Sequence, residues 1–381
     1  MRKIAIITGS RAEYGYTRPI IRLIEKDKDL EHQLIVTNMH LLHEFGYSVA
    51  EIEGDGIKIA EKIYNTFDGY NYQTMVKSLG VFLMQLPETL KRLQPDLILI
   101  AGDRGEQLMA AIAGAHMYIP VAHIQAGEVS GNIDNATRHA IARYTHIHFA
   151  ASEQAVKRLI ASGEEKFRIY RTGAPMLDEL INLTEVTPKE EIYSKFNLDK
   201  NKQIFLVVIH PVTEEFSSAA ENTEKILRAV NSFDNQTIII APNSDAGSLA
   251  VNEAINRNQK SSIRLFRNLS RRDYAGIMRV SSVMIGNSSS GLIESPVFGL
   301  PAINIGRRQI GRESAENVIH VPKYDGEEII KAIQIAITEE FRKKAKEVKN
   351  YYGDGRSSEK ILEILKNIKI NDELLVKKIT Y

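Results

Sequence analysis

Short apolar runs alternate with longer amphipathic segments along almost the whole chain, and this alternation restricts the fold more than any other feature of the sequence. A short apolar run is typical of a strand that is buried on both faces, and amphipathic segments between such runs predict helices that cover a parallel sheet. The strands predicted on this basis span residues 3–8, 33–37, 97–101, 120–125, 147–151, 168–172, 204–209, 237–241, 283–286 and 302–305. The predicted helices include residues 16–26, 75–93, 104–116 and 153–161. The pattern therefore predicts an α/β protein built from βαβ units.

The length of the chain and a break in this alternation predict two domains. A chain of 381 residues is too long for one ordinary hydrophobic core. Residues 173–202 interrupt the alternation with a Gly-Ala-Pro segment and a charged connector whose helix is expected to begin at Thr187. We therefore expect one domain in residues 1–175 and a second in residues 176–381. Their parallel sheets are expected to face a shared cleft, because open α/β sheets bind ligands at the carboxyl ends of their strands.

The composition argues against several classes of function. The 49 Lys and Arg residues nearly balance the 48 Asp and Glu residues, so no overall charge draws the protein to nucleic acid or to an anionic membrane. The absence of cysteine excludes disulfides, thiolate nucleophiles and cysteine-ligated metals. The first apolar stretch, residues 4–8, is much shorter than a signal peptide or a membrane span. We expect a cytoplasmic protein with no nucleic-acid or membrane partner.

A segment rich in glycine and serine after one predicted strand suggests an anion site. Residues 286–291, with the sequence GNSSSG, follow an apolar run and precede a predicted helix that contains Glu294. Such a turn directs backbone N–H groups and the hydroxyls of Ser288 and Ser289 at one point near the positive end of a helix dipole. A diphosphate in this place, with a sugar hydroxyl on Glu294, suggests a nucleotide-sugar ligand. An ordinary connection with serine N-caps is the alternative.

Three carboxylates follow predicted strands in the first half of the chain. Asp103 directly follows one strand, and Glu128 and Asp134 lie beyond the next. Carboxyl groups that are crowded at one sheet edge can have separated pKa values, which general acid–base catalysis requires. Taken singly, each is equally consistent with a helix N-cap or a turn residue. Arg138 and His139 follow Asp134 at helical spacing, and we expect them to line the cleft or to orient a carboxylate.

Polar and basic residues follow other predicted strands, although each taken alone is also consistent with a structural or solvated side chain. His210 directly follows a very apolar strand, where a histidine can contact a phosphate. Asn243 and Asp245 repeat this pattern, and Arg308 lies in a basic loop after the last strand. Arg11 follows the first strand in a loop that lacks the glycine spacing of a dinucleotide-binding turn and the lysine of a P-loop. The histidines are too scattered for a metal site, so no metal is expected.

Several short segments occur in an order that is typical of one family. They are GDR at 102–104, HIQAGEVSGNID at 123–134, RHAI at 138–141, HPVT at 210–213, PNSDAG at 242–247, GNSS at 286–289 and RQIGRE at 308–313. Together they resemble the hydrolysing UDP-N-acetylglucosamine 2-epimerases, and most of all the branch that serves sialic and legionaminic acid synthesis. The resemblance spans roughly residues 3 to 355, and motifs in a shared order are more specific than any one motif.

The resemblance implies a GT-B architecture, that is, two Rossmann-like domains with C-terminal helices, within about residues 340–370, that cross back to the first domain. It implies a nucleotide-sugar substrate and no metal or redox cofactor. Enzymes of this family remove the C2 proton and expel the nucleoside diphosphate to give a 2-acetamidoglucal, and water then adds with inversion at C2. The implied products are UDP and free N-acetylmannosamine. A homodimer or a dimer of dimers is also expected from the family.

The resemblance also implies roles for individual residues. Asp103 and Asp134 fall on acid/base carboxylates, and His210 falls on a histidine near the diphosphate. Glu128 is a further catalytic candidate. The positions expected to contact substrate or nucleotide are Arg11, Arg104, Gln125, Arg138, His139, Asn243, Asp245, Ser288, Ser289, Glu294 and Arg308.

Two positions depart from the family pattern. Gln125 stands where many relatives carry a carboxylate, and a glutamine cannot transfer a proton. That role is expected to pass to Glu128, Asp103 or Asp134, or the enzyme uses a different substrate geometry. Gly15-Tyr16 replaces the Ser-Lys of some relatives, which removes one phosphate contact. Both changes make UDP- or GDP-linked N,N'-diacetylbacillosamine, which would give 2,4-diacetamido-2,4,6-trideoxymannose, the alternative substrate. A GT-B glycosyltransferase and a non-catalytic nucleotide-sugar sensor are the alternatives of another class.

Overall fold

The structure of the protein is a computed structural model that describes residues 1–186 and 188–380. Thr187, the expected start of the connector helix, lies outside the described residues. The chain forms two compact units. The first consists of Met1–Val129, Ile133–Glu179 and Tyr352–Tyr381, and the second of Ser130–Asn132 and Leu180–Tyr351. The functional division into residues 1–175 and 176–381 stays a prediction.

The first unit contains a parallel sheet with helices around it. Its strands are β1 (Arg2–Thr8), β2 (Leu30–Thr37), β3 (Ile59–Ile63), β4 (Leu97–Ala101), β5 (Val121–Ala126), β6 (Ile147–Ala150) and β7 (Ile169–Arg171). They lie in the order β3-β2-β1-β4-β5-β6-β7. The helices are α1 (Arg11–Ile24), α2 (Val49–Gly54), α3 (Tyr72–Leu93), α4 (Gly105–His116), α5 (Ile133–Tyr144) and α6 (Glu153–Ala161), with 3-10 segments at Asn38–Leu41, His43–Phe45 and Lys166–Arg168. Helix α7 (Met176–Val186) begins in this unit.

The second unit repeats the plan with a second parallel sheet. Its strands are β8 (Gln203–Val208), β9 (Asn235–Ile240), β10 (Ile263–Phe266), β11 (Val283–Gly286), β12 (Ala302–Ile305) and β13 (Val318–Val321), in the order β10-β9-β8-β11-β12-β13. Its helices are α8 (Lys189–Lys195), α9 (Ala219–Val230), α10 (Ser248–Arg257), α11 (Arg271–Val280), α12 (Ser290–Ile293), α13 (Gly326–Ala336) and α14 (Glu339–Lys346), with 3-10 segments at Thr213–Ser218 and Ser295–Phe298. The chain then re-enters the first unit with α15 (Ser357–Asn367), which packs against α1, and α16 (Asp372–Leu375).

The central strands carry apolar residues on both faces. Consecutive residues of β1, Ile4 to Ile7, are fully buried. Because successive side chains of a strand point to opposite faces, such a run requires cover on both sides of the sheet. Helices α3 and α4 cover the face of Ala5 and Ile7, where Phe82 and Leu86 of α3 belong to the same core.

The sequence prediction missed β3, β10 and β13, and each of these strands lies at an edge of its sheet. Their sequences contain charged or polar residues, such as Glu61 and Lys62 in β3 and Arg264 in β10. An edge strand is only partly covered, so its sequence lacks the continuous apolar run that marks a central strand.

In each sheet, successive strands are first added toward one edge and then toward the other. Ligands are expected at the point where this order reverses. In the first unit the reversal lies between β1 and β4, and in the second between β8 and β11. Loops on the two sides of such a point diverge at the carboxyl ends of the strands and leave a crevice. None of the helices in residues 1–186 and 188–380 combines the length and the apolar character that crossing a membrane requires.

Candidate active site

Asp103 is fixed at the carboxyl end of β4 by a buried arginine. Gly102 has φ of +83° and turns the chain out of the strand, and the Asp103 carboxylate pairs with Nη2 of Arg138. The Arg138 side chain is 3% exposed, whereas that of Asp103 is 22% exposed. The same guanidinium donates from Nη1 to the carbonyl of Gln125 over 2.5 Å. Arg138 therefore joins the ends of β4 and β5 and leaves the Asp103 carboxylate partly open to solvent.

Gln125 occupies an irregular position near the end of β5. The pairing with β6 shifts register between Ile124 and Ala126, and Gln125 itself has φ of +63°. Positive φ is costly for a residue with a Cβ atom, and such positions are concentrated at functional sites. The side chain is 1% exposed, and Nε2 makes no hydrogen bond to the described residues. The backbone carbonyl of this irregular residue, Gln125, is the one that accepts the hydrogen bond from Arg138.

Two buried carboxyl groups near the carboxyl ends of β1 and β4 were not predicted as site residues from the sequence. Glu13 of α1 accepts hydrogen bonds from the backbone N–H groups of Gly9, over 2.5 Å, and Ser10, over 3.1 Å. Glu106 of α4 accepts from Nδ2 of Asn38 over 2.5 Å. Burial, and then the charge of Glu106, raises the pKa of Glu13 to about 8. The Ser-x-x-Glu spacing of Ser10 and Glu13 is the sequence signal that identifies such a capping box.

Two buried histidines support the same turns and were also missed. Nε2 of His123 lies 2.6 Å from the carbonyl oxygen of Gly102, the residue before Asp103. Burial, followed by the charge of Arg138, lowers the pKa of His123 to about 3, so the ring is neutral and Nε2 donates its proton to that carbonyl. His40 lies between the hydroxyls of Thr8 and Ser48, and burial lowers its pKa to about 3 as well.

Glu128 and Asp134 lie on the loop and the helix that follow β5. The Glu128 side chain is 1% exposed, and its Oε1 accepts from the Ser152 hydroxyl over 3.4 Å. Asp134 is partly exposed in the first turn of α5. His139 lies further along this helix, where burial and then the charge of Arg138 lower its pKa. Asp103 and Arg138 are thus in direct contact, whereas Glu128 is held by Ser152.

Arg11 and Arg104 stand at the starts of the helices that follow β1 and β4, the two strands at the reversal point. Arg11 directly follows Ser10, the N-cap of α1. Arg104 is the N-cap residue of α4, and its Nε lies 3.7 Å from the Glu106 carboxylate. Both side chains are partly exposed. Guanidinium groups in these positions can pair with an anionic ligand.

In the second unit, His210 is held at the carboxyl end of β8 by two asparagines. Its backbone N–H donates to Oδ1 of Asn287 over 2.8 Å, and Nδ2 of Asn287 donates back to its carbonyl over 2.8 Å. The backbone N–H of Asn243 donates to Nδ1 of the ring over 3.2 Å. In a neutral ring the proton then resides on Nε2, which is the arrangement that donates to a phosphate oxygen. Asn243 in turn donates from Nδ2 to Asp245.

The serine turn after β11 differs from its prediction in one respect. Gly286 has φ of +139°, and a Cβ atom placed on it would lie 2.1 Å from the carbonyl oxygen of Val208, so β11 and β8 approach in a way that only glycine allows. Ser288 accepts from the N–H of Ser290 over 3.3 Å. The helix that follows, α12, is only one turn long. A full helix dipole is therefore absent there, and the donors of the turn are the hydroxyls of Ser288 and Ser289 and the nearby backbone N–H groups.

Arg308 reaches the same turn from the loop after β12. Its Nη1 donates to the Asn287 carbonyl over 3.3 Å, and Nε2 of Gln309 donates to the same oxygen over 3.0 Å. The loop also binds Gly131, which belongs to this unit: the Gly131 N–H donates to the Arg308 carbonyl over 2.8 Å. Nε of Arg307 donates to the Gly131 carbonyl over 2.9 Å.

Glu294 is fully buried and is paired within the protein. Its Oε1 lies 2.8 Å from Nη2 of Arg271, the first residue of α11, and the side chain is 1% exposed. Arg271 was not singled out from the sequence, because nothing in its local pattern distinguishes it from a surface arginine. Among the residues that the structure describes, no group of three or more His, Cys, Asp or Glu side chains is arranged to hold a metal ion.

The two reversal points differ in chemistry. In the first unit, Asp103 is an ion-paired, partly exposed carboxylate, and a carboxylate in this state can accept a proton. In the second unit, an imidazole donor, serine hydroxyls and a guanidinium gather near Asn287, and such donors suit a phosphate that gains charge as it departs.

Known proteins resemble this chain along most of its length. The family model described as UDP-N-acetylglucosamine 2-epimerase matches residues 22–366. A UDP-N,N'-diacetylbacillosamine 2-epimerase (hydrolyzing) of Legionella pneumophila is 36% identical over 99% of both chains. A GDP/UDP-N,N'-diacetylbacillosamine 2-epimerase (hydrolyzing) of Campylobacter jejuni is 35% identical over 84% of both chains, and a UDP-N-acetylglucosamine 2-epimerase of Neisseria meningitidis is 32% identical over 88% of both.

Solved structures share the fold. The crystal structure of a Neisseria meningitidis UDP-GlcNAc 2-epimerase bound to UDP-GlcNAc matches with a TM-score of 0.80 at 20% identity, over 96% of this chain and 99% of that chain. A Methanocaldococcus jannaschii UDP-GlcNAc 2-epimerase in complex with UDP-GlcNAc and UDP matches with a TM-score of 0.78 at 20% identity, over 95% and 99%. The predicted fold class, two Rossmann-like α/β domains of the GT-B type, is confirmed.

Proposed function

The chain belongs to the UDP-N-acetylglucosamine 2-epimerase family, and on that premise we propose that it hydrolyses a nucleotide-linked 2-acetamido sugar and inverts the sugar at C2. The enzyme converts the nucleotide-sugar and one water molecule into the free 2-epimerised sugar and the nucleoside diphosphate. The observation that carries this proposal is the Asp103 carboxylate at the reversal point of the first sheet, held by buried Arg138 and partly open to solvent.

The reaction needs a base, because the C2 proton of the sugar is only weakly acidic. We assign this base to Asp103, with Glu128 and Asp134 as the other acid/base carboxylates. Removal of the C2 proton forms the C1–C2 double bond of a 2-acetamidoglucal as the C1–oxygen bond to the diphosphate breaks. Water then adds its hydroxyl to C1, and a proton enters C2 on the opposite face. The Gln125 carbonyl binds Arg138, the same arginine that pairs with Asp103, and the Gln125 side chain transfers no proton.

The departing diphosphate needs donors that strengthen as negative charge develops. We propose that His210, Ser288, Ser289 and Arg308 supply them, with Arg11 and Arg104 as further contacts. The His210 tautomer supports this role, since the N–H of Asn243 occupies Nδ1 and leaves the proton on Nε2. Asn243, Asp245 and Glu294 are the remaining nucleotide positions. The Arg271 partner of Glu294 fixes one of its oxygens, and a nucleoside hydroxyl would meet the other.

Two sugars are candidates for the substrate. UDP-N-acetylglucosamine, which would give N-acetylmannosamine, is the simpler one. A UDP- or GDP-linked N,N'-diacetylbacillosamine is favoured by the names of the two relatives at 36% and 35% identity. Gln125 is consistent with the second sugar, because it places a neutral amide near Asp103 where many relatives carry a carboxylate.

A panel of UDP- and GDP-linked 2-acetamido sugars, followed by proton NMR in heavy water, tests the function and the substrate together. We expect release of the nucleoside diphosphate and a free 2-epimerised sugar that carries deuterium at C2. Diphosphate release without deuterium at C2, or transfer of the sugar to an acceptor, would identify a glycosyltransferase. Tight binding of the panel with no release would identify a sensor.

We also propose that the protein acts in the cytoplasm as a homodimer, or as a dimer of dimers, in a pathway toward sialic or legionaminic acid. Support for self-association comes from α3, where Tyr72, Val76 and Met84 are 48%, 70% and 80% exposed at helical spacing. An apolar stripe of this kind favours contact with a second copy. Light scattering measures the molar mass of the wild type and of Met84→Glu, and we expect a smaller mass for the variant. An unchanged mass would contradict the stripe as the interface.

A further inference from the structure

Glu13 is a buried carboxyl group that the proposed reaction does not use. It stands at the third position of α1 and is 2% exposed. Its Oε2 accepts the N–H groups of both Gly9 and Ser10, the turn between β1 and Arg11. Burial has the largest effect on the pKa of Glu13 and raises it, although hydrogen bonds from the N–H of Gly9 and the Gln107 side chain favour the ionised form.

Glu13 also lies beside the turn that carries Asp103. A Cβ atom placed on Gly102 would lie 3.9 Å from Cγ of Glu13 and 3.7 Å from Cε2 of Tyr16, so these two α1 side chains face the side of Gly102 that carries no side chain. Asp103 and Arg104 directly follow Gly102. The side chain of Glu13 thus lies where the two turns at the reversal point of the first sheet meet.

The charges around Glu13 disfavour its ionised form. The charged groups that face it are Glu106 and Arg104, both from the start of α4. Arg104 is shared with Glu106, since its Nε lies 3.7 Å from that carboxylate. His40, on the β2 side of the Ser10 turn, is neutral at physiological pH and adds no compensating charge. One guanidinium beside two buried carboxyl groups leaves one of them without a counter-charge, and burial makes that second negative charge costly.

We propose that Glu13 is a positioning residue that acts as a neutral carboxylic acid and holds the Gly9–Arg11 turn against the Gly102–Arg104 turn. This role rests on the proposed function, because it concerns the alignment of Arg11, Asp103 and Arg104 for the epimerase reaction. Ionisation of Glu13 places a second negative charge beneath Asp103 and draws Arg104 toward the interior. Activity therefore falls reversibly at alkaline pH.

The pair Glu13→Gln and Glu13→Ala tests the proposal. Glutamine keeps the acceptor oxygen and the uncharged state, so we expect its kcat/KM near neutral pH to be within about threefold of the wild-type value. At about pH 9 the kcat/KM of the wild type should decline, and that of Glu13→Gln should not. Alanine removes the support, and a displaced turn lowers kcat/KM by about 100-fold at every pH. Glu25→Gln, at the exposed end of the same helix, is the matched control.

A second measurement does not depend on turnover. In protein labelled with ¹³C at the glutamate carboxyl, we expect one signal that titrates at about 8, as for the raised pKa of Glu13, and that is missing from Glu13→Gln. The native state then holds a proton that the unfolded chain releases at its ordinary pKa, near 4.5. The free energy of unfolding of the wild type therefore falls, relative to that of Glu13→Gln, as pH rises from 4.5 to about 8.

The outcomes separate the two proposals. If Glu13→Gln loses as much activity as Glu13→Ala, or if no carboxyl titrates near 8, Glu13 works as an anion and the inference is overturned. If that carboxyl titrates as expected but no nucleotide-sugar is turned over, the ionisation state of Glu13 stands and the proposed function fails.

Discussion

At the scale of single residues, contacts between distant segments decide what each candidate can do. In the sequence Asp103 is only a carboxylate that follows a strand, and in the fold it is paired with Arg138 of α5. His123 and Glu13 carry no sequence mark of catalysis, yet their pKa values are moved to about 3 and about 8 by burial first and by neighbouring charges second. Residue type and position in the sequence are thus insufficient to assign protonation states.

Asp103→Asn separates catalysis from binding at this scale. Asparagine keeps the shape of the side chain and an acceptor for Arg138 but cannot take the C2 proton, so we expect kcat to fall by about a hundredfold to ten-thousandfold with little change in UDP affinity. Single-turnover rates and calorimetric titration with UDP measure the two effects.

The control for this variant is Asp96→Asn, at the other end of β4, where the side chain accepts from the N–H of Lys3 over 2.8 Å. Asparagine can keep that hydrogen bond, so activity should be unchanged. A parallel loss of UDP affinity in Asp103→Asn would make Asp103 a structural residue and would remove it from the mechanism.

At the scale of elements, the parallel strands determine where the functional turns emerge. β1 and β4 in one sheet, and β8 and β11 in the other, flank the reversal of strand order. Arg11, Asp103 and Arg104 follow the first pair, and other candidates of the first unit follow β5. The close approach at Gly286 is part of this arrangement, because it brings the serine turn after β11 beside His210 after β8.

Gly286→Ala tests the importance of that approach. The added Cβ atom would lie 2.1 Å from the Val208 carbonyl oxygen, at a backbone conformation that residues with a Cβ atom rarely adopt. We expect the free energy of unfolding to fall by about 3 kcal/mol and UDP affinity to weaken, as the two strands move apart. Urea unfolding and UDP titration measure both.

Gly291→Ala is the matched control in the same segment. Its Cβ atom would meet only Ala302 Cβ at 3.7 Å and Met284 Sδ at 3.9 Å, which are ordinary contacts. We expect wild-type stability and UDP affinity from this variant. Equal stability of the two variants would show that the β8–β11 approach is not restrictive.

At the scale of the whole molecule, the C-terminal segment belongs to the first unit although it follows the second in sequence. Arg168, fully buried, donates to the carbonyls of Glu373, Leu374 and Val376. Nζ of Lys377 lies 2.7 Å from Oε2 of Glu164, which also lies 3.0 Å from Nε2 of His148. These bonds attach the end of the chain to the region around β6 and β7.

Lys377→Met tests this attachment. Burial alone would raise the pKa of Glu164, but the hydrogen bond and charge of His148 and the charge of Lys377 lower it to about 2. Loss of the ammonium leaves the buried Glu164 carboxylate with the more exposed Arg143, whose Nη2 lies 3.3 Å from Oε1, as an ion-pair partner. We therefore expect a loss of about 3 kcal/mol in the free energy of unfolding at neutral pH.

The pH dependence has a definite sign. A carboxyl group with a lowered pKa stabilises the folded state above its unfolded value of 4.5, and this contribution is lost as pH falls toward 2. The difference between wild type and Lys377→Met should therefore shrink over that range in thermal unfolding scans. Lys378→Met, at an exposed neighbouring position, is the control. A difference that stays constant with pH would exclude Glu164 as the partner through which Lys377 acts.

The sequence by itself determined the central strands, the α/β class and the positions of the candidate residues after those strands. These features depend on local pattern, since a strand covered on both faces must be continuously apolar and its carboxyl end must be followed by a turn. The edge strands β3, β10 and β13, the irregular backbone of Gln125, the Asp103–Arg138 pair and the protonation of Glu13 required the tertiary structure. Each depends on burial and on charges from segments far apart in the chain, and the local sequence does not encode those distances.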